Sequence, residues 1–395
     1  MKLGYSKELH DDEVRVSLTP DIAAKLVKKG HEVLFEAQLG SALGFSDEAY
    51  TAAGASLTTR EKILAESNIL LRVNRPHEDE VDSLKAGSVH VSFLDPFNEK
   101  LLIKTLAEKS IRALSVEMIP RSTYAQKMDA LSSQASLAGY AAVILAAERS
   151  KRILPMMTTP SGTIKPLKVF IIGVGVAGLQ AIATAKRLGA QVEAFDTRAV
   201  VEEQVQSLGA KFTKIDLGET QQDANGYALE LTEQQLQIQQ EAMEAICLKS
   251  DIVITTAQLF GRPAPRIIKK HVVEKMKAGS IIVDMAAGSG GNVSGTIPGE
   301  EVKIEGTTII GEVNLAREYA ANSSEMYAAN LMHLINEICV KNEDDTETLS
   351  EDNEIFQGCQ ITANGEIVHP QIRQHYGLEE LNNSTAETQQ KIKGE

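Results

Sequence analysis

Residues 169–178 read VFIIGVGVAG, and residues 179–196 continue as LQAIATAKRLGAQVEAFD. Four apolar β-formers come before Gly173, a helical pattern follows Gly178, and an acidic residue closes the next apolar run. In such a pattern Gly173 makes the tight turn, Gly175 lets the backbone approach a pyrophosphate, and Gly178 lets the helix pack on the strand. The spacing therefore predicts a strand–loop–helix–strand unit that binds a dinucleotide, with the helix N-terminus facing the phosphates.

Asp196 favours NAD(H) over NADP(H) as the cofactor. Its carboxylate can accept hydrogen bonds from the adenosine ribose and would repel a 2′-phosphate. Arg198, two residues further on, is the one nearby feature that favours the opposite choice. We expect the cofactor to contact Gly173, Gly175, Val176, Ala177, Gly178, Asp196, Thr197, Arg198, Tyr227, Thr256 and Ala257.

Length and composition exclude several classes of protein. A chain of 395 residues predicts about two domains, and a net charge of −14 argues against a nucleic-acid partner. The three cysteines are widely spaced and predict neither disulfides nor a metal site, and none of the eight histidines shows metal-ligand spacing. The start lacks a signal-peptide pattern, and no apolar run approaches the roughly 18 to 20 residues of a membrane span. We therefore expect a chain that does not itself insert into a membrane.

The first ~120 residues alternate β-rich runs with helical patterns, which predicts an α/β domain. Ser6, Lys7 and Glu8 follow the first run in place of a glycine loop, so this domain is not expected to bind a dinucleotide phosphate. The predicted strands are Lys2–Tyr5, Glu32–Glu36, Ile69–Val73, Val89–Leu94 and Arg112–Ser115.

The overall prediction is an α/β protein with two Rossmann-like domains, whose parallel sheets flank a cleft and are joined by long helices. A helix over residues 138–149 leads into the second domain, a helix over 318–339 returns to the first, and residues 360–368 add a strand there. The predicted domains are 1–135 with about 330–380, a dinucleotide-binding domain over 136–329, and a disordered tail over 381–395.

A polar, glycine-bearing segment over residues 216–228 is longer than the usual connection of about 2 to 6 residues. It is either a lid that closes over the nucleotide, with Tyr227 as the closing side chain, or a passive insertion.

Three stretches carry a resemblance to a known family: PRSTYAQKMDALSSQASLAGY at 120–140, AIATAKRLGA at 181–190, and VDMAAGSGGN at 283–292. Together they resemble the NAD(H)-binding component, domain I, of proton-translocating, Re/Si-specific NAD(P) transhydrogenase. Alanine dehydrogenase is a near relative. The resemblance implies a homodimer that transfers hydride from NADH to NADP⁺ on an NADP-binding subunit. It also implies a separate membrane-spanning subunit that couples this step to proton translocation, with the present chain peripheral on the cytoplasmic face of the membrane.

The resemblance also implies catalytic roles for four residues of the first stretch. Asp129 and Ser132 would orient the carboxamide of the dihydronicotinamide, Arg121 would fix the ring and the loop, and Gln126 would reach toward the partner's nucleotide. The alternative is that Arg121 and Asp129 form an exposed ion pair at the start of a helix. A glycine pair before Asn292 either lines the nicotinamide pocket or is a plain turn.

A soluble amino-acid dehydrogenase is the main alternative function, and it needs a cationic carboxylate anchor and a general acid or base. Compared with alanine dehydrogenase, Arg15 is retained, whereas Asn74 stands in place of the catalytic lysine, Asp95 in place of the catalytic histidine and Gly288 in place of an aspartate. These changes favour transfer between two nicotinamides, which is proton-neutral at the site. A non-catalytic NAD-binding regulatory module is the second alternative.

Overall fold

A computed structural model describes residues 1–10, 12–216, 232–342 and 347–379. The chain divides into two compact units, one made of Met1–Gln134 together with the residues from Ala320 onward, the other of Ala135–Tyr319. Both contain a largely parallel sheet with helices between the strands, which confirms the predicted α/β class and its two Rossmann-like domains. Tyr227 and the 381–395 tail lie outside the described residues.

The first unit contains a six-stranded parallel sheet of order β3-β2-β1-β4-β5-β6. Thr19 begins the first helix, because its hydroxyl accepts the Ile22 N–H and Pro20 occupies the first turn. The strands are β1 Lys2–Tyr5, β2 Glu32–Glu36, β3 Ser56–Thr58, β4 Ile69–Asn74, β5 Val89–Phe93 and β6 Arg112–Ser115, and the helices are α1 Pro20–Lys28, α2 Asp47–Ala52, α3 Arg60–Glu66, α4 Glu78–Val81 and α5 Lys100–Glu108.

Two carboxylates cap the carboxyl edge of this sheet. Glu8 accepts the N–H groups of Val73 and Asn74 at 2.7 and 3.2 Å, where β4 ends beside β1. Glu117 likewise accepts the N–H groups after β5. Burial raises the pKa of both carboxyl groups. The strand order reverses between β1 and β4, the point at which open α/β sheets usually bind ligands, and here an acidic side chain of the protein occupies it.

A long helix, α6 Ala130–Arg149, contains the point at which the two units divide. It begins eight residues before the predicted position, because Asp129 caps its first turn. Its most apolar window has a mean hydropathy of 1.4, so by length and composition it is the one described helix that could cross a membrane. The expectation that no apolar run reaches this length is therefore wrong: small residues such as Ala141 and Ala142, which pack in the second unit's core, make up much of the helix.

The second unit contains a seven-stranded sheet of order β11-β10-β9-β12-β13-β15-β14, in which only β14 is antiparallel. Val169 and Ile171 of β9 enter one core and Phe170 and Ile172 the other, as expected of a strand covered on both faces. The strands are β7 Met157–Thr159 and β8 Gly162–Ile164, which form a separate hairpin, and β9 Lys168–Ile172, β10 Gln191–Phe195, β11 Lys211–Phe212, β12 Ile252–Thr255, β13 Ile281–Asp284, β14 Glu301–Ile304 and β15 Thr307–Ile310; the helices are α7 Val176–Arg187, α8 Glu202–Ser207, α9 Glu233–Cys247 and α10 Lys270–Lys275.

The chain then returns to the first unit through α11 Ala320–Ile338, whose Tyr327 and Leu331 are buried in that unit's core. Residues 360–368 do not add a strand to the six-stranded sheet, contrary to the prediction. They form a small hairpin of their own and touch β6 through a single bridge between Leu114 and Gln360, because each strand is only two residues long. The remaining elements are β16 Cys339–Lys341, β17 Glu347–Leu349, α12 Glu354–Cys359, β18 Thr362–Ala363, β19 Glu366–Ile367 and α13 Pro370–Tyr376.

Candidate dinucleotide-binding site

The glycine loop between β9 and α7 has the geometry that a dinucleotide phosphate requires. Gly173 has a φ of +96°, which favours glycine. A Cβ atom on Gly178 would overlap the Gly173 carbonyl oxygen, so only glycine allows this approach of helix to strand. A Cβ on Gly175 would meet nothing within 4 Å, which leaves the backbone there open to a ligand. No side chain caps α7, so its first N–H groups are available to an anion.

Thr256 and Ala257 follow β12, the strand next to β9 at the point where the strand order reverses. The Thr256 backbone N–H donates to Ile172 O at 2.8 Å, and its hydroxyl donates to Gly173 O at 3.0 Å. These two predicted residues therefore lie directly against the glycine loop. Val176 and Ala177 open α7, and Val176 is exposed beside the loop.

Asn292 holds the Ala257 segment and does not line a pocket with its side chain. It is fully buried, its Oδ1 accepts the Ala257 N–H at 3.1 Å, and its Nδ2 donates to Ala257 O at 2.8 Å and to Pro265 O at 2.9 Å. All of its amide groups are thus used within the protein. Of the two alternatives predicted for this segment, the buried side chain favours a structural turn.

Asp284, at the end of β13, positions Asn292 in turn. Its carboxylate is fully buried and accepts the N–H groups of Ala286, Asn292 and Val293 at 3.0–3.1 Å. It also accepts the hydroxyl groups of Thr255 at 3.1 Å and Thr296 at 2.7 Å. A Cβ on Gly291 would lie 2.8 Å from Asp284 Oδ2, which explains the glycine there. The order Asp284, Asn292, Ala257 links β13 to the segment beside the glycine loop.

Asp196 ends β10, and its carboxylate binds Arg198 in this structure. Oδ1 accepts Arg198 Nε at 3.0 Å, and Oδ2 accepts Arg198 Nη2 at 3.0 Å and the Val174 N–H at 2.7 Å. Burial opposes ionisation of Asp196, but the hydrogen bonds from Arg198 and Val174 hold its pKa below the ordinary value. The Arg198 side chain is 58% exposed against 8% for Asp196, so it can leave without disturbing the core. Thr197 is exposed between them.

Replacing Asp196 with alanine is expected to weaken NADH binding by about 10- to 100-fold, since a hydrogen bond to a charged group contributes about 1.5–3 kcal/mol. The preference for NADH over NADPH should also fall, because Arg198 is then free to bind a 2′-phosphate. Fluorescence titration with both nucleotides measures the two dissociation constants. Arg198→Ala is the control, because it keeps the carboxylate and should keep the preference. An unchanged ratio in Asp196→Ala would contradict the assignment of Asp196.

The four predicted catalytic residues belong to the first unit. Tyr124–Met128 forms a 3₁₀ helix, and Asp129 caps α6 by accepting the Ser132 N–H at 2.9 Å and the Ser132 hydroxyl at 2.5 Å. The structure thus brings Asp129 and Ser132 together and places Ser132 in the first turn of a helix. Arg121 and Gln126 are exposed, and among the described ion pairs none joins Arg121 to Asp129, so the alternative of an ion pair is not observed.

Arg15, the retained carboxylate anchor of the amino-acid dehydrogenase alternative, is already bound. Glu13 accepts both Nε and Nη2 of its guanidinium, and Gln134 accepts Nη1. Asn74 donates to Glu13 at 3.1 Å, and the Asp95 carboxylate accepts the side-chain amide of Asn98. The partnership with Glu13 is not evident from the sequence, because Arg15 reads there as a cation available to a substrate.

Family profiles match both units. The profile described as "Alanine dehydrogenase/PNT, N-terminal domain" matches residues 4–138, and "Alanine dehydrogenase/PNT, C-terminal domain" matches residues 142–370. The chain belongs to the alanine dehydrogenase/PNT family. The resemblance inferred from the three sequence stretches is thereby confirmed.

Within this family the chain is similar to members of two kinds. The first of the polypeptides that make up the NAD(P) transhydrogenase subunit alpha of Rhodospirillum rubrum is 41% identical over 382 residues, which cover 94% of this chain and 99% of the relative. The solved transhydrogenase of Sinorhizobium meliloti is 36% identical with a TM-score of 0.81, and the match covers 94% of this chain and 100% of that one. Alanine dehydrogenase of Halomonas elongata is 25% identical over 387 residues, or 96% of this chain and 98% of the relative.

Proposed function

We propose that the chain is the NAD(H)-binding component of a proton-translocating transhydrogenase and passes hydride from NADH to NADP⁺ held on another polypeptide. One observation carries the proposal: the glycine loop is open at Gly175, whereas the buried arginine that could anchor an organic acid is closed by Glu13. The protein is thus equipped for a dinucleotide and lacks an accessible carboxylate anchor at Arg15. The transhydrogenase relatives, at up to 41% identity, support the same choice.

Hydride transfer between two nicotinamides needs placement more than proton chemistry. The two reacting carbons must approach to roughly 3–3.5 Å, and correct orientation supplies much of the rate. NADH, when bound, supplies the hydride. The protein's residues supply the orientation: Asp129 can accept from the carboxamide amine, and the Ser132 hydroxyl can donate to its oxygen. Arg121 and Gln126, both exposed, are proposed to fix the ring and to contact the partner's nucleotide.

The remaining components of the machinery are proposed to lie on other chains. An NADP-binding subunit supplies the hydride acceptor, and a membrane-spanning subunit couples transfer to proton translocation. The present chain acts as a homodimer at the cytoplasmic face of the membrane. The names of the relatives, which describe a subunit alpha, support an assembly of several subunits.

The test is to mix the purified chain with the NADP-binding component of a transhydrogenase and to measure hydride exchange between NADH, NADPH and 3-acetylpyridine adenine dinucleotide. Exchange that requires both proteins is the expected result. NADH formation from NAD⁺ and L-alanine by the chain alone would support the dehydrogenase alternative. Binding of NADH without turnover in any mixture would support the regulatory module. Either of the last two outcomes contradicts the proposal.

Replacing Asp129 with alanine is expected to slow hydride exchange by about 100-fold, and Ser132→Ala by about 10-fold, because a misplaced ring loses orientation. NADH affinity should change by less than about 3-fold, since the adenosine and pyrophosphate contacts are proposed to lie in the second unit. Single-turnover exchange and NADH titration separate the two effects.

Ser133→Ala is the matched control on the same helix. Its hydroxyl bonds Ala130 O at 3.1 Å and Asn330 Oδ1 at 2.7 Å, whereas the Ser132 hydroxyl bonds the Asp129 carboxylate. Exchange in the control should therefore stay within about 2-fold of the original rate. Equal losses in Ser132→Ala and Ser133→Ala would show that the helix start, and not the hydroxyl of Ser132, matters.

A further inference from the structure

Arg15 and Glu13 form a buried carboxylate site whose ligand comes from the chain itself. Glu13 Oε1 accepts Arg15 Nε at 2.8 Å, and Oε2 accepts Nη2 at 2.6 Å. The two side chains are only 5% and 3% exposed. Two parallel N–H···O bonds between a guanidinium and a carboxylate are the geometry with which arginine recognises carboxylate ligands.

The surrounding groups complete the site. Glu13 Oε1 also accepts the Arg15 backbone N–H at 3.0 Å, and Oε2 accepts Asn74 Nδ2 at 3.1 Å. Arg15 Nη1 donates to Gln134 Oε1 at 2.9 Å, which fixes the guanidinium independently of Glu13. Burial opposes the charged form of Glu13, but the bonds from Arg15 and Asn74 hold its pKa below the ordinary value.

The position of this site in the fold is that of a ligand site. Asn74 ends β4, next to the reversal of strand order between β1 and β4, where open α/β sheets bind their ligands. A buried guanidinium without a counter-charge is strongly unfavourable, so an empty site would attract an anion of the right shape. Gln134, Asn74 and the Arg15 backbone offer the donors and the anchoring that such an anion needs.

We propose that Glu13 is an internal ligand that occupies a site for small organic carboxylates in the first unit and excludes these acids from the protein. The proposal goes beyond the proposed hydride transfer and concerns binding alone. Its failure would leave the exchange assay untouched.

Glu13→Ala tests the proposal, because it removes Cγ and the carboxylate, which together match acetate in size. Acetate at about 100 mM is expected to raise the Tm of the full-length variant by roughly 2–8 °C over the same concentration of sodium chloride, with an apparent Kd on the order of millimolar. The Tm of the original protein should move by less than about 1 °C. Acetamide, which has the shape of acetate without its charge, should have no comparable effect.

Two further variants make the result decisive. Glu13→Ala combined with Arg15→Met should lose the response to acetate. Glu13→Gln keeps the shape of the side chain and should fold even if the alanine variant does not; acetate should then give a smaller shift in the same direction, by displacing the neutral amide. The proposal is overturned if acetamide acts as well as acetate, or if acetate stabilises neither Glu13 variant.

Discussion

Replacing Gly178 with alanine is expected to abolish NADH binding and to lower the free energy of unfolding by about 2–4 kcal/mol. A Cβ atom there would overlap the Gly173 carbonyl oxygen, which is backbone and cannot move without displacing the loop. Both the start of α7 and the turn at Gly173 must shift, so the N–H groups that face the phosphates lose their arrangement. Urea unfolding and NADH fluorescence titration on the same preparation measure the two effects.

Gly175→Ala is the matched variant in the same loop. Gly175 has a φ of −83°, which alanine adopts readily, and its Cβ would meet nothing within 4 Å. Its stability should therefore stay within about 0.5 kcal/mol of the original, whereas NADH affinity should fall at least ~10-fold because the methyl group enters the space proposed for the pyrophosphate. A Gly175→Ala variant that binds NADH normally would show that the phosphates lie elsewhere.

Replacing Asp284 with asparagine is expected to cost about 3–5 kcal/mol of stability, the largest loss from a near-isosteric change in the second unit. The fully buried carboxylate accepts five hydrogen bonds, and an amide nitrogen in place of either oxygen would face donors. Because Asn292 depends on Asp284 and Ala257 depends on Asn292, NADH affinity should fall as well. Urea unfolding followed by circular dichroism, together with NADH titration, measures both.

Thr296→Val separates the whole network from one of its bonds. It removes a single donor to Asp284 and leaves the other four, so the expected loss is about 1 kcal/mol with NADH affinity unchanged. If Asp284→Asn were no more costly than Thr296→Val, the carboxylate would not be organising the segment.

The glycine loop was predictable because each glycine answers a local steric demand. Gly173 needs a positive φ and Gly178 needs close packing, and both demands follow from a short strand–loop–helix pattern. The strands of both sheets follow from runs of apolar residues for the same reason. The α6 start at Ala130 was also within reach, since Asp129 is a favoured capping residue, but the apolar pattern further along drew the prediction to residue 138.

The clamps around the site could not be predicted, because they join residues that are distant in sequence. Asn292 contacts Ala257 across 35 positions, and no local pattern marks it as a buried amide. Arg15 shows the converse: its partner Glu13 is only two residues away, but alternative partners for a cation are equally available in a sequence, so burial had to be seen. The small hairpin over 360–368 was missed as such because its strands are two residues long.

The division of the chain also has a consequence for its synthesis. The second unit is continuous from Ala135 to Tyr319, so its core can close as soon as that stretch has left the ribosome. The first unit must wait, since Tyr327 and Leu331 enter its core about two hundred residues after β6. Until then its apolar surface is uncovered, which makes the nascent first half the stretch most in need of a chaperone.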